Sequence, residues 1–148
     1  MITRKVVGGV RLSAYGERVA RFEADLSGMP DVALSLIVAC CLSDTPFHLR
    51  GLDTLYIKEC DRVMAVTRET GKLGYVLQVP AHGELCWNRE RNTLIALDID
   101  TYQDHRMAMA FSLIGLRSEG IVIDNPLCCK KTFEEYFTLL DQIIKEHR

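Results

Sequence analysis

The chain has 148 residues, 48% of them hydrophobic and 26% charged, with a net charge of −2. That balance fits one compact piece able to bury a core. It gives no electrostatic basis for bulk nucleic-acid binding, and no apolar run is long enough to span a membrane.

Residues 1–17 contain a strand over Val6 to Leu12, which reads as the remnant of a preceding unit. Arg18 to Leu26 alternates, with Ala20, Phe22, Ala24 and Leu26 on one side and Arg21, Glu23 and Asp25 on the other, the pattern of a half-buried strand. Gly28-Met29-Pro30 is a turn. Asp31 to Leu42 is apolar nearly all round and predicts a buried helix, with Asp31 a good N-cap type. Ser43 to Pro46 breaks it, and Phe47 to Arg50 predicts a short strand ending at Gly51. Lys58 to Leu73 predicts a helix with Arg68, Glu69 and Lys72 solvated and Val63, Val66 and Leu73 buried. Gly74 suits the position just past its end. Tyr75 to Val79 and Leu85 to Trp87 are expected as strands around the Pro80–Gly83 turn.

Leu94 to Ile99 then predicts a strand, His105 to Leu116 a buried helix and Gly120 to Ile123 a short strand. Asn125-Pro126 breaks the chain. Thr132 to Lys145 has the clearest helical periodicity, with Phe133, Tyr136, Phe137, Leu140, Ile143 and Ile144 at steps of three and four. A shift of 73 positions places Arg18 on Arg91, Asp25 on Asp98, Asp31 on Asp104, Leu36 on Met109 and Lys58 on Lys131. The order of elements repeats with it. The expected organisation is therefore α/β: a remnant at 1–17, a first unit at 18–90 and a second at 91–148.

The six cysteines include the adjacent pairs Cys40-Cys41 and Cys128-Cys129. With no secretory signal and no Cys-x-x-Cys spacing, reduced thiols in a cytoplasmic protein are expected, and no metal site. His48, His82 and His147 lack partner patterns.

Each predicted helix opens on ionisable residues: Asp31; Lys58-Glu59 with Asp61-Arg62; Asp104-His105-Arg106; and Lys130-Lys131. Singly, each reads as a cap or a solvated charge. Positive residues at a helix start oppose the macrodipole unless an anion binds there. In a repeated strand–helix unit these starts lie at one edge, where ligands collect. Cations, carboxylates and an imidazole together suit a phosphate- or carboxylate-bearing substrate and a proton transfer.

Met29-Pro30-Asp31, the run Ile57 to Arg62, the run Tyr102 to Phe111 and Lys131-Thr132-Phe133 with Tyr136-Phe137 resemble, in order and spacing, the carboxy-terminal part of the 5-enolpyruvylshikimate-3-phosphate synthase family. The resemblance implies two βαβαββ-type units of an enolpyruvyl transferase inside-out α/β barrel domain. It implies transfer of the enolpyruvyl group of phosphoenolpyruvate to the 5-hydroxyl of shikimate 3-phosphate, with phosphate release and no cofactor.

By carry-over, Asp31 binds the shikimate hydroxyls and acts as base, Lys58 assists, and Glu59 handles protons at the enolpyruvyl carbon. Arg62, Arg106 and Lys131 bind phosphoenolpyruvate, and His105 lies beside that site. Thr54 stands where the family often carries a substrate-contacting Asn, and Cys60 replaces a common Thr. The family's amino-terminal Gly-Ser-Lys-Ser and Asn-Ala-Gly-Thr motifs are missing. The implied partner is therefore the missing amino-terminal part, and the chain alone is expected to be inactive. The alternatives are a UDP-N-acetylglucosamine enolpyruvyl transferase-like enzyme and a non-catalytic phosphate-binding module.

Overall fold

The computed structural model of the chain describes residues 2–6, 9–13 and 19–146. Strands β1 (Ile2–Val6) and β2 (Gly9–Ser13) form an antiparallel hairpin in which Val6 pairs with Gly9. The expected single strand from Val6 to Leu12 is thus divided between two strands. Its Val7 and Gly8, like Arg18 and His147, lie outside the described residues.

Strand β3 (Phe22–Asp25) keeps the predicted alternation, with Phe22 and Ala24 packed on the core and Glu23 and Asp25 outward. Pro30 to Val32 form a 3-10 turn, and helix α1 (Ala33–Leu42) follows. Asp31 therefore does not cap the helix; proline, with its fixed φ, starts the turn one residue earlier. Strand β4 (Phe47–Arg50) runs parallel to β3 and antiparallel to β5 (Leu85–Trp87), making a three-stranded sheet. Gly51 ends β4 at φ +72°, and a Cβ there would meet the Ser27 backbone nitrogen at 2.4 Å, so only glycine fits.

The helix expected from Lys58 begins later. Asp53 to Ile57 form a 3-10 turn, Lys58 to Cys60 are a bend, and α2 (Arg62–Lys72) starts where Asp61 accepts from the Met64 N–H at 2.9 Å. A side-chain cap defines that start more strongly than apolar spacing does. Glu69, expected in solvent, is fully buried. Gly74 takes φ +87° just past α2, as expected. Tyr75 to Val79 forms only isolated bridges, Tyr75 with Arg91 and Gln78 with Cys86, rather than a strand.

In the second half, β6 (Asp98–Ile99) pairs parallel with β7 (Val122–Ile123). Both are shorter than the predicted strands. Leu94 and Ile95 are exposed, Ile95 by 77%, so apolar β-prone sequence there finds no surface to pack on. Helix α3 (His105–Ser112) tightens into a 3-10 turn over Leu113 to Leu116. The predicted amphipathic helix is divided: a 3-10 turn over Pro126 to Cys129 leads into α4 (Lys130–Phe133), and α5 (Tyr136–Glu146) follows. No helix of the described residues is long and apolar enough to cross a membrane.

The two halves repeat strand, helix, parallel strand, 3-10 turn, helix. Helices α1 and α3 pack together, with Leu34, Ile37, Val38, Met107, Ala110 and Phe111 in one core. Each of these side chains except Ala110 contributes roughly 1.5–3 kcal/mol by burial. The helices' starts meet, as Arg106 Nη1 donates to the Asp31 carbonyl at 3.3 Å.

Candidate active site

Arg62, the first residue of α2, lies at the centre of a charged cluster and is 1% exposed. Its Nε donates to Asp104 Oδ2 at 2.6 Å and its Nη2 to Asp104 Oδ1 at 3.2 Å, a side-on bidentate pair. Nη1 donates to Asp31 at 2.9 Å and Nη2 also to Glu59 at 2.7 Å. One guanidinium therefore ties together the turn before α1, the bend before α2 and the start of α3. A buried arginine needs such partners, since a lone buried charge is prohibitive.

Around this centre stand further cations. Lys58 Nζ is 3.4 Å from Asp31, Arg106 Nη2 is 3.3 Å from the other Asp31 oxygen, and Lys131 Nζ is 3.5 Å from Glu59. Four cations, Lys58, Arg62, Arg106 and Lys131, meet three carboxylates, Asp31, Glu59 and Asp104, which leaves an excess of one positive charge. Arg106 and Lys131 are the more open of the cations, at 39% and 57% exposure, and so are placed to meet an incoming anion. A pocket of ≈ 110 Å³ opens here between Asp31, Ser35, His105, Arg106, Met109 and Thr132.

The carboxyls are set for the ionised form. Burial alone pushes Asp31 up, but Arg106, Lys58 and Arg62 outweigh it and hold the group below its ordinary value. Asp104 behaves the same way: burial raises it, and the Arg62 and Arg106 N–H donors bring it below the usual range. Glu59 is lowered chiefly by its own backbone N–H, with Arg62 adding to this against partial burial. His105 is depressed by burial, against the pull of Asp104 and Glu59, so its imidazole is biased toward the neutral form. A neutral ring also removes the conflict between a cation and the start of α3. Its Nδ1 is buried without a hydrogen bond, 3.9 Å from Asp104.

Asp31, Lys58, Glu59, Arg62, Arg106 and Lys131 are thus brought together, with His105 beside them. Thr54 is not among them: it lies exposed in the 3-10 turn before Lys58, with no hydrogen bond to the cluster among the described residues. Cys60 touches its edge, 3.7 Å from Asp104, and burial with that carboxylate pushes its thiol up to about 12. All six cysteines are free. No group of His, Cys, Asp and Glu among the described residues is arranged to hold a metal. His48 pairs with Glu84 at 2.7 Å and His82 stacks on Tyr56, and neither ring pairs with a cluster residue among the described residues.

Two residues were missed. Asp104 caps α3 as expected, accepting from the Arg106 N–H at 2.8 Å, but it is also the buried partner of Arg62. The helix pattern alone places Glu69 in solvent, whereas the structure buries it. Its spacing of seven from Arg62 is the signal that places both on one buried stripe of α2.

Comparisons with known proteins agree with one another. A model of the family described as EPSP synthase (3-phosphoshikimate 1-carboxyvinyltransferase) matches residues 2–140. The chain is 40% identical over 130 residues to the 3-phosphoshikimate 1-carboxyvinyltransferase of Bacteroides fragilis (strain YCH46), covering 87% of this chain and 32% of that protein. It is 36% identical over 140 residues to the chloroplastic protein of the same name from Arabidopsis thaliana, covering 94% and 26%. The structure of an EPSP synthase from Acinetobacter baumannii superposes with a TM-score of 0.64 at 24% identity, over 76% of this chain and 27% of that one. That likeness shows an α/β fold. The chain therefore spans between 26% and 32% of the length of these relatives.

Proposed function

We propose that this chain, which belongs to the EPSP synthase family, supplies the carboxy-terminal side of an active site that moves the enolpyruvyl group of phosphoenolpyruvate to the 5-hydroxyl of shikimate 3-phosphate. The observation that carries the reading is the Arg62-centred cluster, which holds ionised carboxylates and open cations at one edge of the fold. A transfer between two anionic substrates needs both.

In the proposed reaction the 5-hydroxyl oxygen bonds to the central carbon of phosphoenolpyruvate as the methylene carbon takes a proton. The hydroxyl proton goes to Asp31, with Lys58 assisting. Phosphate then leaves with the C–O bond, and the methyl carbon returns a proton to restore the double bond. Glu59 is the proposed group for both proton transfers at that carbon: its carboxylate takes a proton from solvent, gives it to the methylene carbon in the addition and recovers one from the methyl carbon in the elimination. Arg106 and Lys131 take the carboxylate and phosphate of phosphoenolpyruvate, and Arg62 joins them where a substrate anion displaces one of its carboxylates. Arginine matches a planar carboxylate better than lysine does. Neutral His105 lies beside these groups in an assisting role, and Thr54 offers a hydroxyl toward shikimate from the preceding turn.

The recurrence of elements supports a division into units at 18–90 and 91–148, after a remnant at 1–17, within an inside-out α/β barrel domain. The relatives are about three times as long, which supports an active site completed by an amino-terminal part carrying the other anion contacts. Half the clamp forfeits most transition-state binding. The proposed setting is the cytoplasm.

The test is phosphate release from phosphoenolpyruvate and shikimate 3-phosphate, by the chain alone and with a family amino-terminal part added as a separate polypeptide. Release only from the mixture is expected. Full turnover by the chain alone overturns the half-site reading, and none from the mixture overturns the function.

A further inference from the structure

Behind the cluster, the segment from Asp100 to Arg106 follows an unusual path. Tyr102 and Gln103 both take left-handed conformations, with φ +51° and +57°. Two successive non-glycine residues in that region are strained, and they persist only where their surroundings over-determine them. The restraints are visible on both sides. Asp100 accepts from the Tyr102 N–H at 2.7 Å, and the Asp104 N–H donates to the Thr101 carbonyl at 2.8 Å.

The rest of the hold comes from α2. Arg62 grips Asp104 at the far end of the segment. Two helical turns later Glu69, wholly buried, grips the near end. Its Oε1 accepts from the Tyr102 hydroxyl at 2.9 Å and its Oε2 from the Asp100 N–H at 3.1 Å. Lys72 balances its charge at 2.7 Å and reaches on to the Asp98 carbonyl at 3.1 Å. No substrate-facing role is open to a carboxylate so buried, and a solvated helix face does not call for one.

We propose that Glu69 is a positioning residue: it holds the Asp100–Tyr102 end of the strained segment and thereby sets where Asp104, His105 and Arg106 stand at the site. This rests on the proposed function for its significance but not for its test. Without Glu69 the left-handed pair relaxes, Asp104 moves, and Arg62 loses the partner that orders Asp31 and Glu59.

The experiment follows the Arg62 Nε–Hε and His105 imidazole NMR signals of the full chain, in wild type, Glu69→Ala, Glu69→Gln, Tyr102→Phe and Thr70→Val. Thr70 is the control: it is equally buried on α2, but its hydroxyl bonds only within the helix, to the Val66 and Thr67 carbonyls. Glu69→Ala is expected to speed Arg62 Nε–Hε exchange about tenfold, as one buried charged hydrogen bond is lost, and to shift His105. Tyr102→Phe is expected to move both signals the same way, by less. Glu69→Gln keeps one acceptor oxygen, which serves the Asp100 N–H while its NH2 turns to the Tyr102 oxygen, so it restores part of the wild-type pattern, while Thr70→Val leaves both signals in place even if the melting temperature falls. Unmoved signals in Glu69→Ala, or equal movement in Thr70→Val, overturn the proposal. If Glu69→Ala does not fold, Tyr102→Phe against Thr70→Val decides on the same terms. Absence of a shift on adding phosphoenolpyruvate to wild type counts against the substrate reading alone, because the Arg62 signal needs no substrate.

Discussion

Arg62 does at the residue scale what no pair of surface charges does: it is buried, and every edge of its guanidinium meets a carboxylate. Removing it leaves Asp104 charged and wholly buried. Arg62→Met is therefore expected to cost about 3–5 kcal/mol, read as a lower urea midpoint. The same residues set the response to acid. His105 has a folded pKa below its unfolded value of about 6.5, so the unfolded chain binds the extra proton and stability begins to fall as pH drops below that value. Asp31, Glu59 and Asp104 also have lowered folded pKa values, and their contribution, present above about pH 4, is lost as pH falls through the folded values. Urea midpoints between pH 8 and pH 3 are expected to decline in two stages. His105→Gln flattens the first and Asp104→Asn the second, and a single stage unaffected by either variant contradicts the assignment.

At the scale of elements, caps and turns decide boundaries that apolar spacing leaves open. The bend at Lys58 to Cys60 frees those residues from the helix and lets them face Asp31 and Lys131. Gly51 is the turn on which β4 ends against Ser27, and Gly51→Ala is expected to destabilise by more than about 1 kcal/mol, since both φ and the Ser27 backbone oppose a Cβ. Helices α3 and α5 differ in what covers them. Phe111 is wholly buried between α1 and α3, while Leu139 on α5 is exposed. Phe111→Ala is expected to cost about 3–5 kcal/mol and Leu139→Ala under about 1. Equal costs in thermal unfolding show that α5 is covered in solution.

For the whole molecule, the packing of α1 against α3 brings Arg106 at one helix start onto Asp31 before the other, and α2 delivers Arg62 to both. With Lys131 from the start of α4, four separate stretches of sequence become one cluster with an excess of one positive charge. The chain spans only 26% to 32% of these two relatives' length, and the proposed transfer draws on groups from outside it. Restored phosphate release in the two-part mixture is expected to fall steeply with Arg106→Ala, which removes an open cation. It should be nearly unchanged with His82→Ala, whose ring pairs with Asp53 and stacks on Tyr56 and makes no ion pair with the cluster among the described residues. Equal losses count against the cluster as the site.

Much was legible in the sequence by itself. The ionisable stretches at Asp31, Lys58-Glu59, Asp104-His105-Arg106 and Lys130-Lys131 stand out because charge interrupts apolar runs, although α1 begins only after Asp31 and α2 only after Lys58-Glu59. The repeat at 73 residues and the family motifs lie in the same stretches. These signals are local, and local chemistry determines caps, turns and apolar faces. Only the tertiary structure decided that Arg62 and Glu69 are buried, that Asp104 is shared between a helix cap and an arginine, and that Leu94 and Ile95 find no sheet. Burial depends on what another part of the chain brings alongside, and neither Asp104 nor Tyr102 is near α2 in sequence. A charged residue on a helix reads as solvated until its partner, more than thirty positions away, is in place.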